Sequence, residues 1–168
     1  MVGFFKSKHS NNDHFDEAYL ALRKQAFSVK PEQVGITLEK KDQVYGTVVD
    51  MGVGGSDIAT MVCFLGETAS LYFSKGGGII GAGQHENVKQ AVALYLASAQ
   101  KMLPVMKLTD DFSTVPAEDH HVFYFFTGNG TYLYDLDLKE YQRSRENQLL
   151  FSMAQMVLTE IRQASTSK

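Results

Sequence analysis

The feature that most constrains the fold is an aromatic hairpin near the end of the chain. Residues 122–126 are apolar at every position, and the turn Gly128-Asn129-Gly130 that follows contains residues able to adopt positive φ. Residues 131–137 then alternate as a returning strand. A strand without polar positions must be covered on both faces. We therefore expect helices on one face of it, and the first helix or a second subunit on the other.

Apolar periodicity defines the remaining elements. Helical spacing recurs near residues 14–27, 86–103 and 145–163. Three short runs rich in β-branched or apolar residues, at 44–51, 58–65 and 69–74, are joined by connections short enough to favour antiparallel pairing. The element order is thus α-βββ-α-ββ-α. It predicts an α+β two-layer sandwich with a five-stranded antiparallel sheet and with the middle and last helices on one face.

Length and composition indicate one domain. The chain has 168 residues, of which 44% are hydrophobic, so it can bury a core without a disulfide or a metal. We predict a single domain over residues 13–163, a frayed N-terminus over 1–12 and a frayed tail over 164–168. Cys63 is the only cysteine and lies in an apolar run, which predicts a buried side chain and excludes an intrachain disulfide.

Net charge and targeting signals limit the classes of partner that the sequence predicts. The net charge of −3 gives no basic footprint for nucleic acid. The sequence shows no signal peptide and no apolar run long enough for a membrane span, so we expect a cytoplasmic protein without membrane contact.

The most unusual segment is the glycine-rich loop at residues 75–83. Its Gly76, Gly78 and Gly81 match a G-x-G-x-x-G string between a predicted strand and a predicted helix. Backbone amides at the start of a helix favour anions, and the neighbouring side chains of Lys75 and His85 can add positive charge or hydrogen-bond donors. The candidate ligand-binding residues are Lys75, Gly76, Gly77, Gly78, Gly81, Gly83 and His85.

The glycines of this loop also fit a purely structural role. A dinucleotide fingerprint requires a parallel βαβ unit, whereas a hairpin follows the helix here, and no P-loop string is present. Small residues would equally let the chain cross close to a neighbouring element, with Ile79 and Ile80 anchoring it in the core. A role in a subunit interface is the third possibility.

Catalytic signals are weak. His120 and His121 are adjacent on a predicted strand, so their side chains point to opposite faces and cannot easily share a metal. A hydrolase would need them together with the acidic residues of the preceding loop, Asp110, Asp111, Glu118 and Asp119. The sequence leaves enzymatic activity open and favours its absence, and it predicts no metal and no cofactor.

A family resemblance enters at the glycine-rich loop. A strand ending in Tyr72-Phe73-Ser74, followed by Gly-Gly-Gly-Ile-Ile-Gly and a helix, resembles a family of bacterial domains of unknown function. The resemblance covers about residues 44–163, and its specific element is 76–83. The element count is also similar to that of profilin-like and roadblock-type domains. Neither resemblance implies an activity.

The sequence therefore predicts a non-catalytic binding or scaffold domain that associates with itself or with another protein. This prediction rests on two observations: the sequence shows no recognisable set of catalytic residues, and it has a surplus of aromatic residues. The alternative is a small-molecule or anion-binding domain that holds a nucleotide or phosphate at residues 76–83.

Overall fold

A seven-stranded sheet forms the centre of the molecule in the computed structural model, which describes residues 15–166. All neighbouring strands are antiparallel, in the order β4-β3-β2-β1-β6-β7-β5. The strands are β1 (Gly46–Gly54), β2 (Asp57–Phe64), β3 (Thr68–Phe73), β4 (Gly78–Ile79), β5 (Lys107–Thr109), β6 (His120–Thr127) and β7 (Gly130–Asp137). The α+β class and the antiparallel sheet are confirmed.

The predicted number of five strands is wrong. The two additional strands, β4 and β5, lie at the two edges of the sheet and contain two and three residues. A run that short cannot show the two-residue alternation by which a strand is recognised in a sequence. β4 lies within the glycine-rich loop, and β5 lies in the segment between the predicted helix at 86–103 and β6.

Within residues 15–166, three α-helices accompany the sheet: α1 (Glu17–Phe27), α2 (Glu86–Met102) and α3 (Arg145–Thr166). Asp16 caps α1, because its carboxylate accepts a hydrogen bond from the Tyr19 amide at 3.1 Å. The predicted frayed segment 1–12 lies outside the described residues. α3 continues to Thr166, through the first residues of the predicted tail.

One face of the sheet packs against α2 and α3. The last helix turns Leu150, Ala154, Val157 and Ile161 inward at helical spacing, and all four are buried in the same cluster as Cys63 of β2. This arrangement confirms the predicted burial of the cysteine.

The other face is covered by α1 and the chain that follows it. Tyr19 and Ala26 of α1 are buried against Tyr124 and other residues of this face. The Phe27 ring meets the Tyr124 ring edge to face at 5.0 Å. Helices therefore lie on both faces, so the predicted two-layer arrangement is wrong, and the first helix covers the aromatic strand. Self-association stays a prediction.

Within residues 15–166, no helix combines the length and the apolar character that crossing a bilayer requires.

Candidate functional site

The glycine-rich loop forms the turn of the β3–β4 hairpin. Gly76 and Gly77 have φ values of +107° and +83°, in the region that favours glycine. The Gly76 amide donates to the Phe73 carbonyl at 2.9 Å, and the Phe73 amide donates to the Gly77 carbonyl at 3.1 Å. The turn therefore uses its own polar groups to close the hairpin.

The candidate ligand-binding side chains flank this turn on the protein surface. Lys75 is exposed and forms an ion pair with Asp57 at 3.1 Å. His85 is exposed at the start of α2 and lines a shallow polar pocket with Glu86 and Glu160. Two carboxylates beside His85 oppose an anion there. Anion binding by residues 75–85 stays a prediction.

Close packing explains why a glycine stands at the end of the loop that leads into α2. Gly83 is buried, and a Cβ atom built on it would lie 2.3 Å from the backbone oxygen of Glu67. Ile79 packs partly buried against the core, as predicted. The prediction that Ile80 anchors the loop is wrong, because this side chain is 70% exposed.

We expect Gly83→Ala to lower the free energy of unfolding by about 1–3 kcal/mol, because the added methyl group must displace the Glu67 backbone. Urea denaturation measures this change. The neighbouring exposed residue Gln84 provides the control, and Gln84→Ala is expected to stay within about 0.5 kcal/mol of the parent. Equal stability of the two variants would contradict the close approach.

A cavity of about 490 Å³ lies between the C-terminal half of α3 and the sheet, and we call it the His121 cavity. Its volume falls in the range of about 300–1,000 Å³ that is usual for small-molecule sites. Strand side chains form the floor, and α3 forms one wall. The lining residues are Met51, Val53, Ala59, Leu71, Phe73, Ile79, His121, Gln155, Leu158, Arg162, Ser165 and Thr166.

Strand register and helix periodicity bring these residues together. Met51 pairs with Ala59 on one side and with His121 on the other, so the three side chains share one face of the sheet. On α3, Gln155, Leu158 and Arg162 follow at spacings of three and four residues and form one stripe. The cavity therefore depends on segments that are distant in the sequence.

His121 is the unusual group in this cavity. The residue is 6% exposed, and its Nδ1 atom is buried with no hydrogen-bond partner in the described part of the chain. The imidazole stacks on Phe151 at 5.6 Å and lies 6.2 Å from Phe123. Burial lowers the pKa of His121 to about 4, so the ring is neutral at neutral pH. An unpartnered buried polar group costs about 1–3 kcal/mol.

The neighbouring histidine has the opposite environment. The Nδ1 atom of His120 lies 2.8 Å from a carboxylate oxygen of Asp135 on β7. This hydrogen bond raises the pKa of His120 above its ordinary value. The structure therefore gives the two adjacent imidazoles different partners. Among the described residues, no group of three or more His, Cys, Asp or Glu side chains could hold a metal ion.

A second cavity of about 380 Å³ lies on the opposite face, beside α1 and residues 110–115. At its base, Arg23 donates to both carboxylate oxygens of Asp50, with a shortest distance of 2.6 Å. The Thr60 hydroxyl donates to Asp50 at 2.7 Å and lies 2.8 Å from the Tyr19 hydroxyl. Burial, and secondarily the Asp50 charge, raises the pKa of Tyr19 to about 12.

This ion-pair network attaches α1 and the 110–115 loop to the sheet. Asp50 is 1% exposed, and Arg23 also donates to the Phe112 carbonyl at 2.8 Å. The guanidinium lies over the Phe27 ring at 4.8 Å from its centre. Sequence reasoning did not identify the Arg23–Asp50 ion pair, although the single carboxylate of Asp50 within a strand rich in β-branched residues was a usable signal.

The acidic loop residues considered for a hydrolase do not converge on His121. Asp110 and Asp111 line the second cavity on the other face, and Asp119 lies 3.5 Å from the ammonium of Lys139.

Comparison with known proteins adds no assignment. No protein-family model matches the chain, and no curated protein or solved structure matches it significantly. The resemblance to a bacterial domain family of unknown function stays a prediction.

Proposed function

We propose that the chain is a non-catalytic binding domain that holds a small, largely apolar molecule in the His121 cavity. The observation that carries the proposal is a buried imidazole, with an unpartnered Nδ1 atom, in the wall of an open apolar cavity. Buried polar groups in folded proteins are nearly always hydrogen-bonded. Each buried polar group without a partner therefore needs an explanation, and a ligand site in the adjoining cavity supplies one for His121.

The composition of the wall supports a ligand of this kind. Seven of the twelve lining residues are apolar and the other five are polar, and small-molecule sites likewise combine apolar walls with polar groups that orient the ligand. Two of the apolar side chains remain open to solvent: Val53 is 58% and Phe73 is 40% exposed. A bound molecule would remove this surface from water, at about 25 cal/mol for each Å² of apolar area.

The second cavity is the weaker candidate because the polar groups at its base already form hydrogen bonds with one another. The Asp50 carboxylate accepts hydrogen bonds from Arg23 and Thr60. A ligand there would have to compete with these bonds. A ligand in the His121 cavity would not have to compete with bonds of this kind. The proposed site therefore lies on the face of the sheet that packs against α2 and α3.

The absence of tryptophan from the sequence allows a direct test. Phe73→Trp places a single indole in the wall of the His121 cavity, where one aromatic ring replaces another. We expect 1-octanol to shift its emission to shorter wavelength in a saturable way, because the ligand excludes water from the indole.

The matched control is Val115→Trp, which places the indole in the wall of the second cavity. Val115 is 50% exposed, so the substitution should not disturb the core. The control is expected to show no saturable change with 1-octanol. A non-saturable response shared by both variants would refute the proposed site.

A further inference from the structure

We infer that the natural occupant of the His121 cavity is an amphipathic anion, with an apolar chain on the strand floor and a carboxylate-type headgroup at Arg162. This inference rests on the proposed function and adds the chemical class of the ligand. It follows from the distribution of charge and of hydrogen-bond donors around the cavity.

Among the described residues that line the cavity, Arg162 is the only charged one. Some cations of the described chain have acidic partners, as Arg143 has Glu140 at 2.8 Å and Lys89 has Glu67 at 3.1 Å, whereas others, such as Lys107, have none. Within residues 15–166, the Arg162 guanidinium makes no hydrogen bond or ion pair. A guanidinium fork with free donors matches the two oxygens of a carboxylate.

The remaining polar groups add no negative charge, and some of them offer donors. The hydroxyls of Ser165 and Thr166 already donate their protons to carbonyls of their own helix, at 2.7 and 3.0 Å, so they are not free donors for a ligand. Gln155 contributes an amide group with two N–H donors. Neutral His121 carries one further N–H, and because buried N–H groups without acceptors are rare, this proton belongs on Nε2 rather than on the unpartnered Nδ1.

The floor of the His121 cavity determines the chemical character of the other end of the ligand. Met51, Ala59, Leu71, Phe73 and Ile79 present a continuous apolar surface formed by β1–β4. One cation at the wall and an apolar floor fit a molecule with one headgroup and one hydrocarbon chain. A nucleotide is a poorer fit, because its several phosphate charges would meet a single cation among the described lining residues.

Three probes of equal chain length test the headgroup in the Phe73→Trp protein: octanoate, 1-octanol and octylammonium. We expect octanoate to bind about 10–100-fold more tightly than 1-octanol, the usual effect of a charged hydrogen-bonding partner. Octylammonium is expected to bind most weakly because Arg162 repels it.

Substitution of Arg162 separates the headgroup contact from general burial. In the Phe73→Trp protein, Arg162→Gln is expected to remove the preference for octanoate and to leave 1-octanol binding unchanged. Arg145→Gln, at the exposed opposite end of α3, is the matched control and should keep the preference.

Equal affinities for all three probes, or a preference for octylammonium, would overturn the anionic headgroup and leave the proposed function intact. If none of the probes binds, the proposed function fails and this inference fails with it.

Discussion

Asp50→Ala is expected to lower the free energy of unfolding by about 3–5 kcal/mol, the usual consequence of removing one partner of a buried ion pair. The substitution leaves Arg23 without its carboxylate while α1 still holds it against the sheet. Thr60 loses its acceptor as well. Urea denaturation at neutral pH, followed by circular dichroism, measures the change.

The double variant Arg23→Met/Asp50→Leu separates a lost charge from a lost contact. Replacing both partners by apolar residues of similar length leaves no charge buried without a partner, so the destabilisation is expected to be much smaller. A single variant that loses less than about 1 kcal/mol, or a double variant as unstable as Asp50→Ala, would contradict this account of how α1 is attached.

Local periodicity explains which parts of the fold could be predicted. The aromatic hairpin of β6 and β7 and the stripes of α2 and α3 repeat over many residues, and each was found where its pattern placed it. The edge strands β4 and β5 have too few residues to carry a pattern. The position of α1 on the second face depends on its pairing with Asp50, a contact between residues 27 positions apart.

The candidate site shows a different limit. The glycine-rich loop attracted attention because its residues are contiguous, and its turn and its close contact with Glu67 account for Gly76 and Gly83. The residues of the His121 cavity come from five strands and α3, and no local pattern connects them. One signal was present, since His121 interrupts the inward-facing positions of an otherwise apolar strand. Alternation placed it on the same face as Phe123, but the sequence did not show which of the predicted helices cover that face.

His121 should make the protein less stable in acid. Its pKa is about 4 in the folded state and about 6.5 in the unfolded chain. Between these values only the unfolded state takes up the proton, so stability falls as the pH falls from about 6.5 to 4 and the loss is complete below 4. The difference of about 2.5 pKa units corresponds to about 3 kcal/mol.

His121→Phe isolates this contribution because phenylalanine can keep the stacking on Phe151 and does not titrate. At pH 7 the variant is expected to be at least as stable as the parent, since it removes the unpartnered Nδ1. Its advantage in free energy of unfolding should then grow by about 3 kcal/mol by pH 4. Urea denaturation of both proteins at each pH measures the difference and cancels the titration of the acidic residues.

His120 is the internal control because its pKa moves the other way. Its hydrogen bond to Asp135 raises the folded pKa, so its contribution to stability is present in acid and is lost as the pH rises through that value. His120→Phe should therefore lose stability relative to the parent as the pH falls, whereas His121→Phe gains. If the difference in free energy of unfolding between the parent and His121→Phe stays constant from pH 7 to pH 4, His121 protonates as readily in the folded protein as in the unfolded chain. The reason for assigning a ligand to the His121 cavity would then disappear.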